Sequence, residues 1–515
     1  MKKRTRIKSY VLWILGASLI TLAGCSDDFF NRKAGDRITP DQHYYTTIDA
    51  EVSIIGALIT LQEAMPDLIV LTGLRSDEMD VTKYADPDLI KINQQVFEPG
   101  NFYVDPADFY KVIINMNEVL ANIDKVAEND RNFDDWISYY AKGALITMRA
   151  WTYFTLVRLY NEASYIPDNM TVLPEIDQRS ILNKEVMIDT LINQLLPYVF
   201  DASVGTERVE VQVEYYVNTK ALLGELYLEK GDYASAVDYL KLACESYLNG
   251  QSTFKVDNTY QDEQWASIFL NSESAVVENI SVIPFSSTHD QLNPLADLFG
   301  YNRNYALKPS TILLDSFNAQ VTAAGDPGDL YRGFGVTFEV DSGAMGSDPD
   351  YAYITKYAVD RYDPASADII ISRAADLHLL LAEAYNRMGD EESQTYALTF
   401  LNQGINKMNP KPPEYARWAR NLGIRGRVYL SERMIPDGIT GEDRMLMIED
   451  LIIAERAMEL AFEGKRWFDL VRIAERRNDP GFLADKVAAK FEGTPMYNEI
   501  HTKLMQPDNW YLPFQ

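Results

Sequence analysis

Two carboxylates four residues apart form the pair whose type and spacing most suggest chemistry. Glu455 and Glu459 fall on one helical stripe together with Ile448, Ile452 and Phe462. Two carboxyl groups beside a glycosidic bond can hydrolyse it, one as the acid and the other as the base or nucleophile. These residue types are therefore compatible with a glycoside hydrolase.

The same two residues also suit a structural role. A carboxylate on an apolar face is costly unless a cation pairs with it. Arg466 and Arg472 follow a turn at Gly464 and are the expected partners of Glu455 and Glu459. Because no substrate-shaped loop accompanies the pair, we favour a buried ion network that fixes a helix–turn–helix over a catalytic centre.

A short cluster of aromatic and polar residues is the best candidate for a binding site. A sugar ring has an apolar CH face that fits an aromatic plane, and neighbouring polar groups can hydrogen-bond its hydroxyls. Five consecutive residues supply both kinds of group: Tyr301, Asn302, Arg303, Asn304 and Tyr305. The chain has 32 tyrosines, so most of them must pack in the interior, and the cluster is a hypothesis.

The sequence shows no motif for a bound metal, cofactor or phosphate. Its four histidines are scattered, and His378 lies on a helical pattern where it is expected to pack. No His-Glu-x-x-His motif, cysteine pair or phosphate loop occurs. The acidic stretches 77–80 and 341–350 could hold calcium but lack the ligand spacing of a known loop. We assign no cofactor and no metal.

The N-terminus predicts export and lipid attachment. Five basic residues precede an apolar run over 11–22, which at 12 residues is too short to span a bilayer. The run leads into a Leu-Ala-Gly-Cys sequence at Cys25 that looks like a bacterial lipobox, where the cysteine carries lipid. We predict a signal peptide over 1–24 and a lipidated tether over 25–45. An ordinary signal peptide followed by a chance cysteine is the alternative.

The charge balance limits the possible partners. The full chain has a net charge of −28, and loss of the signal peptide removes five basic residues and no acidic ones. Such a surface repels nucleic acid and anionic lipid headgroups, so membrane attachment must come from the lipid. With Cys244 as the only other cysteine, the fold must be held by burial rather than by disulfides.

The elements that position these residues are mainly helical. Over 215–248, the order of small and large apolar residues matches a tetratricopeptide unit with a turn at Gly231. A second unit is predicted over 381–401, and a weaker third over 141–160. One unit cannot bury its own faces, so we predict a mostly α fold: a tetratricopeptide-like helical-repeat scaffold of about four helix pairs.

The middle of the chain loses this helical period. Residues 251–370 are rich in proline, glycine and aromatic side chains. A long irregular segment on a helical scaffold is usually functional or disordered, and its aromatic content argues against disorder. We therefore predict a helical-repeat region over 46–250 and a C-terminal region over 251–515 containing this insertion, fused into one globular unit. The loops and a few short strands would form a partly irregular ligand-binding side.

Three segments resemble the SusD/RagB family. The first joins an asparagine-bearing helix over 109–117 to an Arg-Ala-aromatic helix over 149–160, and the second covers 381–402. The third, 455–472, is the most specific. Its motif residues are Glu455, Arg456, Glu459, Glu463, Gly464, Arg466, Trp467, Asp469 and Arg472. The family usually continues beyond the Leu-Pro element at which this chain closes, which leaves its last contacts open.

The resemblance implies a nutrient-binding lipoprotein rather than an enzyme. Such a protein would be lipid-anchored in the outer membrane, face the exterior and bind no nucleic acid. It would capture a glycan for a SusC-like, TonB-dependent barrel. Family members often build part of the site from an early loop, which here contains Tyr84, Phe97, Asn101 and Tyr103. A RagB-like peptide-binding protein, a surface glycoside hydrolase and a scaffold without a ligand are the alternatives.

Overall fold

The computed structural model describes most of the chain beyond the tether. The described residues are 43–167, 180–199, 217–245, 256, 268–269, 278–300, 303–340, 351–357, 364–418 and 421–514. Within them lie the helices α1 (Thr47–Arg75), α2 (Pro87–Asn93), α3 (Ala107–Asn129), α4 (Asp135–Tyr160), α5 (Lys184–Leu195), α6 (Thr219–Lys230), α7 (Tyr233–Cys244), α8 (Leu295–Phe299), α9 (Thr311–Asn318), α10 (Ala374–Met388), α11 (Glu391–Leu401), α12 (Ile424–Arg427), α13 (Gly441–Glu459), α14 (Arg466–Arg477), α15 (Pro480–Ala488) and α16 (Met496–Leu504). The predicted mostly α fold is confirmed.

The first helix, α1, is a long core element. Thr46 and Asp49 form a capping box that satisfies the backbone donors at its start. The helix is long and apolar enough to cross a membrane, but 61% of its most apolar window is buried inside the protein. It packs against α3 and α14, so it joins the two ends of the chain. We therefore describe α1 as a core helix.

Two predicted repeat units are helical hairpins. Helices α6 and α7 meet at Gly231, and α10 and α11 meet at Gly389; both glycines adopt the left-handed conformation at φ +84°. A Cβ on Gly224 of α6 would lie 2.5 Å from Leu240 Cγ of α7, so only glycine permits this close approach. The third predicted unit, 141–160, is instead part of the single helix α4, whose hairpin partner is the preceding α3.

The short strands form four two-stranded antiparallel ladders. Their bounds are β1 (Met79–Val81), β2 (Glu162–Tyr165), β3 (Ser180–Asn183), β4 (Asn279–Ile283), β5 (Leu307–Pro309), β6 (Phe338–Val340), β7 (Ala352–Ile354) and β8 (Ile369–Arg373). The pairs are β1–β5, β2–β3, β4–β8 and β6–β7. Most of these strands lie in the loop-rich segment, where the helical period is absent and only the short helices α8 and α9 occur among the described residues.

The interior consists of two main apolar clusters. The larger combines side chains of α1, α3, α4, α14 and α15. The second packs α6, α7, α10 and α11 against the first half of α13. Both clusters therefore combine residues from before and after position 250.

Candidate functional site

The two carboxylates that suggested hydrolysis lie in a buried ion network. Glu459 is fully buried at the end of α13. Its Oε1 accepts from Arg373 Nη1 at 2.7 Å and from Arg427, and its Oε2 accepts from Arg332 Nη1 at 2.7 Å. Glu455, one turn earlier, pairs with Arg332 at 2.7 Å and with Arg425 at 2.5 Å. All four arginines lie outside the long helices: Arg332 is in a loop, Arg373 ends β8, and Arg425 and Arg427 belong to the four-residue helix α12.

The turn after α13 adds a third carboxylate to the network. Glu463 accepts from Lys356 Nζ at 2.6 Å and from Arg373 Nη2 at 2.9 Å. Gly464 then adopts φ +74°, and a Cβ there would lie 3.3 Å from Ile69 Cγ1 of α1. The turn therefore needs glycine both for its backbone conformation and for its approach to α1.

The expected partners of the glutamates are wrong, although the buried network itself is confirmed. Arg466 donates instead to Asp77, with Nε–Oδ1 and Nη2–Oδ2 distances of 2.7 Å. Arg472 forms a similar two-pronged pair with Glu383 of α10, at 2.9 and 2.8 Å. Arg466 and Arg472 are close to the glutamates in sequence but not in space. The turn at Gly464 directs α14 towards α1 and α10 and away from the glutamate face of α13.

The remaining motif residues join α14 to its surroundings. Arg456 donates to Asp469 at 2.8 Å and to Asp376 at 2.9 Å, which ties α13 to both α14 and α10. Trp467 is fully buried, and the Arg75 guanidinium lies 3.9 Å from the centroid of its ring. The segment is thus a junction between helices from distant parts of the chain.

The charges in the network are fixed by one another. Burial alone would raise the pKa of Glu459, but the guanidiniums of Arg427, Arg373 and Arg332 hold it well below its usual range. Burial likewise opposes ionisation of Glu455, and Arg332 and Arg425 lower its pKa. Both carboxylates are therefore ionised, enclosed and already paired, so neither is placed to protonate or attack a substrate.

The predicted ligand loops meet at the ladder of β1 and β5. Val81 pairs with Leu307, so the end of β1 lies beside the start of β5. Just beyond the ladder, the Thr82 N–H donates to the Ala306 carbonyl at 2.9 Å, and its hydroxyl donates to the Tyr305 carbonyl. Two loops more than 200 residues apart are held together by these bonds. This relationship was not evident from either loop alone.

Comparison with known proteins relates the chain to one family. The sequence profile of the SusD family matches residues 338–513, which include the whole Glu455–Arg472 motif. A SusD-like protein P2 of Formosa agariphila is 23% identical over 88% of this chain and 89% of its own length. The chain is similar to SusD-like proteins.

Solved structures agree on the fold of this chain. A SusD superfamily protein from Bacteroides vulgatus matches with a TM-score of 0.67 and 15% identity, over 89% of this chain and 93% of its own. A laminarin-binding SusD-like protein matches with a TM-score of 0.56 and 15% identity, over 88% and 96% of the two chains. At this level of identity, the likeness extends to the fold alone.

The residues of the 301–305 cluster differ in their exposure. Tyr301 and Asn302 lie outside the described residues, and Arg303 is exposed. Tyr305 is buried, and its hydroxyl donates to the Ala352 carbonyl at 2.6 Å. The buried Tyr305 side chain thus joins the loop of Arg303 to the start of β7. Its ring does not present a face to solvent.

The early loop shows the same division between support and surface. Asn101 and Tyr103 are buried; the Asn101 side chain accepts from Tyr103 N at 3.1 Å and donates to the Asp88 carbonyl at 3.2 Å. Phe97 is half-buried, with the Arg75 guanidinium 4.7 Å from its ring centroid. Of the four residues predicted in this loop, only Tyr84, with 57% of its surface exposed, offers its ring to solvent.

Two exposed aromatics near these loops were not among the predicted site residues. Phe102, 56% exposed, lies between Asn101 and Tyr103. Tyr351, 40% exposed, directly precedes the residue that Tyr305 holds. Phe102 lies directly between two predicted residues in a short 3-10 turn, whereas Tyr351 has no predicted residue beside it in the sequence. We use the term aromatic surface for Tyr84, Phe102, Arg303 and Tyr351.

His378 and the acidic stretches considered for calcium lie outside the aromatic surface. His378 is fully buried on α10, where its Nε2 lies 3.1 Å from Asn421 Oδ1, and burial lowers its pKa to about 4. Its predicted packing role is confirmed. Among the described residues, no cluster of three or more His, Cys, Asp or Glu side chains could hold a metal. Asp77 instead pairs with Arg466, and 341–350 lie outside those residues.

Proposed function

We propose that this protein is a cell-surface lipoprotein that captures a glycan and delivers it to a SusC-like, TonB-dependent outer-membrane barrel. The family supports a binding role, and a structural neighbour is named for binding laminarin. The lipobox sequence at Cys25, which lies outside the described residues, supports attachment to the outer membrane with the protein facing the exterior.

The β1–β5 ladder is the observation that carries the glycan proposal. It brings the loop of Tyr84 to the loop of Arg303, and the Tyr305–Ala352 bond adds Tyr351. Exposed aromatic rings cost free energy in water unless something covers them, and a sugar's CH face can do so. Tyr301, which lies outside the described residues, belongs to the same proposal.

Binding without hydrolysis fits the buried carboxylates. Glu455 and Glu459, the sequence's candidates for acid and base, are enclosed by arginines and have no access to a glycan. A peptide could also use aromatic rings and an exposed arginine, as in RagB-like proteins. Peptide binding is therefore the second candidate, and the same experiment distinguishes it.

The test compares one double aromatic variant with a matched control. Tyr84→Ala/Phe102→Ala should weaken binding of the ligand by about tenfold or more, since each stacked ring adds roughly 0.5–1.5 kcal/mol beyond its burial. Tyr45→Ala is the control, because Tyr45 is as exposed as Tyr84 but lies before α1, whose 29 residues extend roughly 40 Å. Laminarin, other glycans and mixed peptides would be screened by calorimetry.

The outcomes separate the candidates. Glycan binding that falls in the double variant and persists in Tyr45→Ala supports the proposal. Binding of peptides with no response to any glycan would favour the RagB-like role. New reducing ends after incubation with a glycan would instead show hydrolysis. Unchanged glycan affinity in a folded double variant would place the site elsewhere.

The proposed delivery requires a particular orientation. We propose that the helical-repeat region over 46–250 and the region over 251–515 act as one unit, tethered through 25–45, with the repeats towards the barrel and the loops towards the nutrient. Co-purification of the barrel with the lipoprotein from solubilised outer membranes would test the partnership. A barrel that never accompanies the protein would contradict it.

A further inference from the structure

A cleft lies at the start of β1, at the other end of this strand from the loop of Tyr84, and it contains polar groups without partners among the described residues. It has a volume of about 530 Å³ and lies between α9, α13 and α15, just before β1 begins. Much of its wall is apolar, including Leu313, Ile453 and Met458. This cleft contains none of the residues of the aromatic surface, so a ligand there would be separate from the proposed glycan.

Glu78 provides an unpaired buried oxygen in this cleft. Only 1% of its surface is exposed, and it lines the cleft directly. Its Oε2 accepts from the Phe462 N–H at 3.3 Å, whereas its Oε1 has no partner among the described residues. Burial raises the pKa of Glu78 to about 8, opposed by Arg466 and Lys356 and reinforced by Asp77. At neutral pH, the side chain is therefore a carboxylic acid whose hydroxyl can donate.

Lys486 is the second unused group. It lines the same cleft, with its Nζ 4.8 Å from the centroid of the Phe482 ring. Within the part of the chain that the structure describes, its ammonium has no hydrogen-bond acceptor. The other cation of the cleft, Arg466, is already occupied by Asp77. Two donors are therefore left without acceptors beside a largely apolar space: the Lys486 ammonium, and the Glu78 carboxyl buried just beneath the cleft wall.

The acidic residues at the cleft pair with other side chains, although Asp77 and Asp450 also raise the pKa of Lys486 against the effect of burial. Asp450 pairs with Arg477 at 2.8 Å, and Asp485 pairs with His501 at 2.9 Å. A ligand ammonium group would satisfy Glu78 but would add a second cation beside Lys486. A ligand carboxylate would accept from both donors, while its apolar chain would cover Leu313 and Met458. The arrangement of donors therefore favours an acidic head group.

We propose that this cleft binds a small amphiphilic carboxylate, with its head group between Glu78 and Lys486 and its apolar chain along α9 and α13. The site is independent of the glycan proposal. It would make the protein responsive to a second class of small molecule, at a place directly joined to β1.

Hexanoate is a suitable probe, with hexan-1-ol and hexylamine as comparators of equal chain length. Ligand-observed NMR and calorimetry on the purified full chain should show hexanoate binding more tightly than either comparator. Lys486→Gln should weaken hexanoate by about tenfold or more through loss of a charge-assisted hydrogen bond. Lys142→Gln, a lysine on α4 outside this cleft, should change nothing.

Glu78→Gln distinguishes the role of the buried acid, because its amide can still donate. The wild type should lose hexanoate affinity as the pH rises above 8, while Glu78→Gln should keep its affinity across the same range. Absence of hexanoate binding, equal or tighter binding of hexylamine, or indifference to Lys486→Gln would overturn the proposal. Laminarin affinity should be unchanged in Lys486→Gln, so failure here is distinguishable from failure of the glycan site.

Discussion

Arg466 donates from Nε and Nη2 to the two carboxylate oxygens of Asp77, each at 2.7 Å, across 389 residues of sequence. Both side chains are almost fully buried, so each charge depends on the other. This pair fastens the start of α14 to the segment between α1 and β1. The most specific motif of the chain therefore holds its two ends together.

Removing one member of that pair should destabilise the protein strongly. Arg466→Ala leaves the Asp77 carboxylate buried and unpaired, which should cost about 3–5 kcal/mol of unfolding free energy. Glu455→Ala should act similarly, because it removes the carboxylate partner of the buried Arg425 guanidinium and one of the carboxylates around Arg332. Urea unfolding measures both. Lys230→Ala, which breaks an exposed pair with Asp189, is the control and should leave the midpoint unchanged. An equal midpoint for Arg466→Ala and wild type would contradict the buried pairing.

The network should make stability sensitive to acid. Arginines lower the pKa of Glu459 in the folded protein against the effect of burial, so the unfolded chain binds the proton more readily. The stability from this group is thus present above the unfolded-state pKa of about 4.3 and is lost as the pH falls below it. Glu459→Gln should be less stable at pH 7 and should lose less on acidification. Parallel stability curves for the two proteins would contradict this linkage.

The close approach of α6 and α7 should be intolerant of a single added carbon. Gly224→Ala places a Cβ against Leu240 and should cost about 1–3 kcal/mol through overpacking. Gly56→Ala is the matched control, since Gly56 is also within a helix but has no neighbour within 4 Å of the added atom. That substitution should stabilise by about 0.5–1 kcal/mol. Thermal melts measure both effects. A higher melting temperature in both variants would mean that the hairpin can relax around the added carbon.

Lipid on Cys25 should decide where the protein resides. The Leu-Ala-Gly-Cys sequence predicts that Cys25→Ala releases a soluble protein, because the acidic surface has no affinity for anionic headgroups. Membrane fractionation measures the distribution. Cys244→Ala serves as the control, since that cysteine is buried beside α6. A Cys25→Ala protein that still sediments with the outer membrane would show another means of attachment.

The sequence by itself determined the elements whose signals are local. Gly224 and Gly231 predicted a helical hairpin. Gly231 permits the left-handed turn, and Gly224 permits the close packing of the two helices. Charged residues on an apolar stripe predicted a buried ion network, because the free-energy cost of burying a charge without a partner is high. The same kind of pattern gave a weak third repeat unit over 141–160, but the structure has the single helix α4 there, because one helical face does not show which helix packs beside it.

Only the tertiary structure decided which residues meet. The partners of Glu459 are arginines from a loop, a strand end and the four-residue helix α12, and no periodic pattern marks them. The pairing of β1 with β5 depends on hydrogen bonds between three-residue strands, which are too short to give a sequence signal. Whether a tyrosine supports a loop or faces solvent depends on contacts from distant segments: the Tyr305 hydroxyl donates to the Ala352 carbonyl, whereas the Tyr84 ring is exposed. Local propensity is set within a few residues, whereas burial and pairing are set by the whole chain.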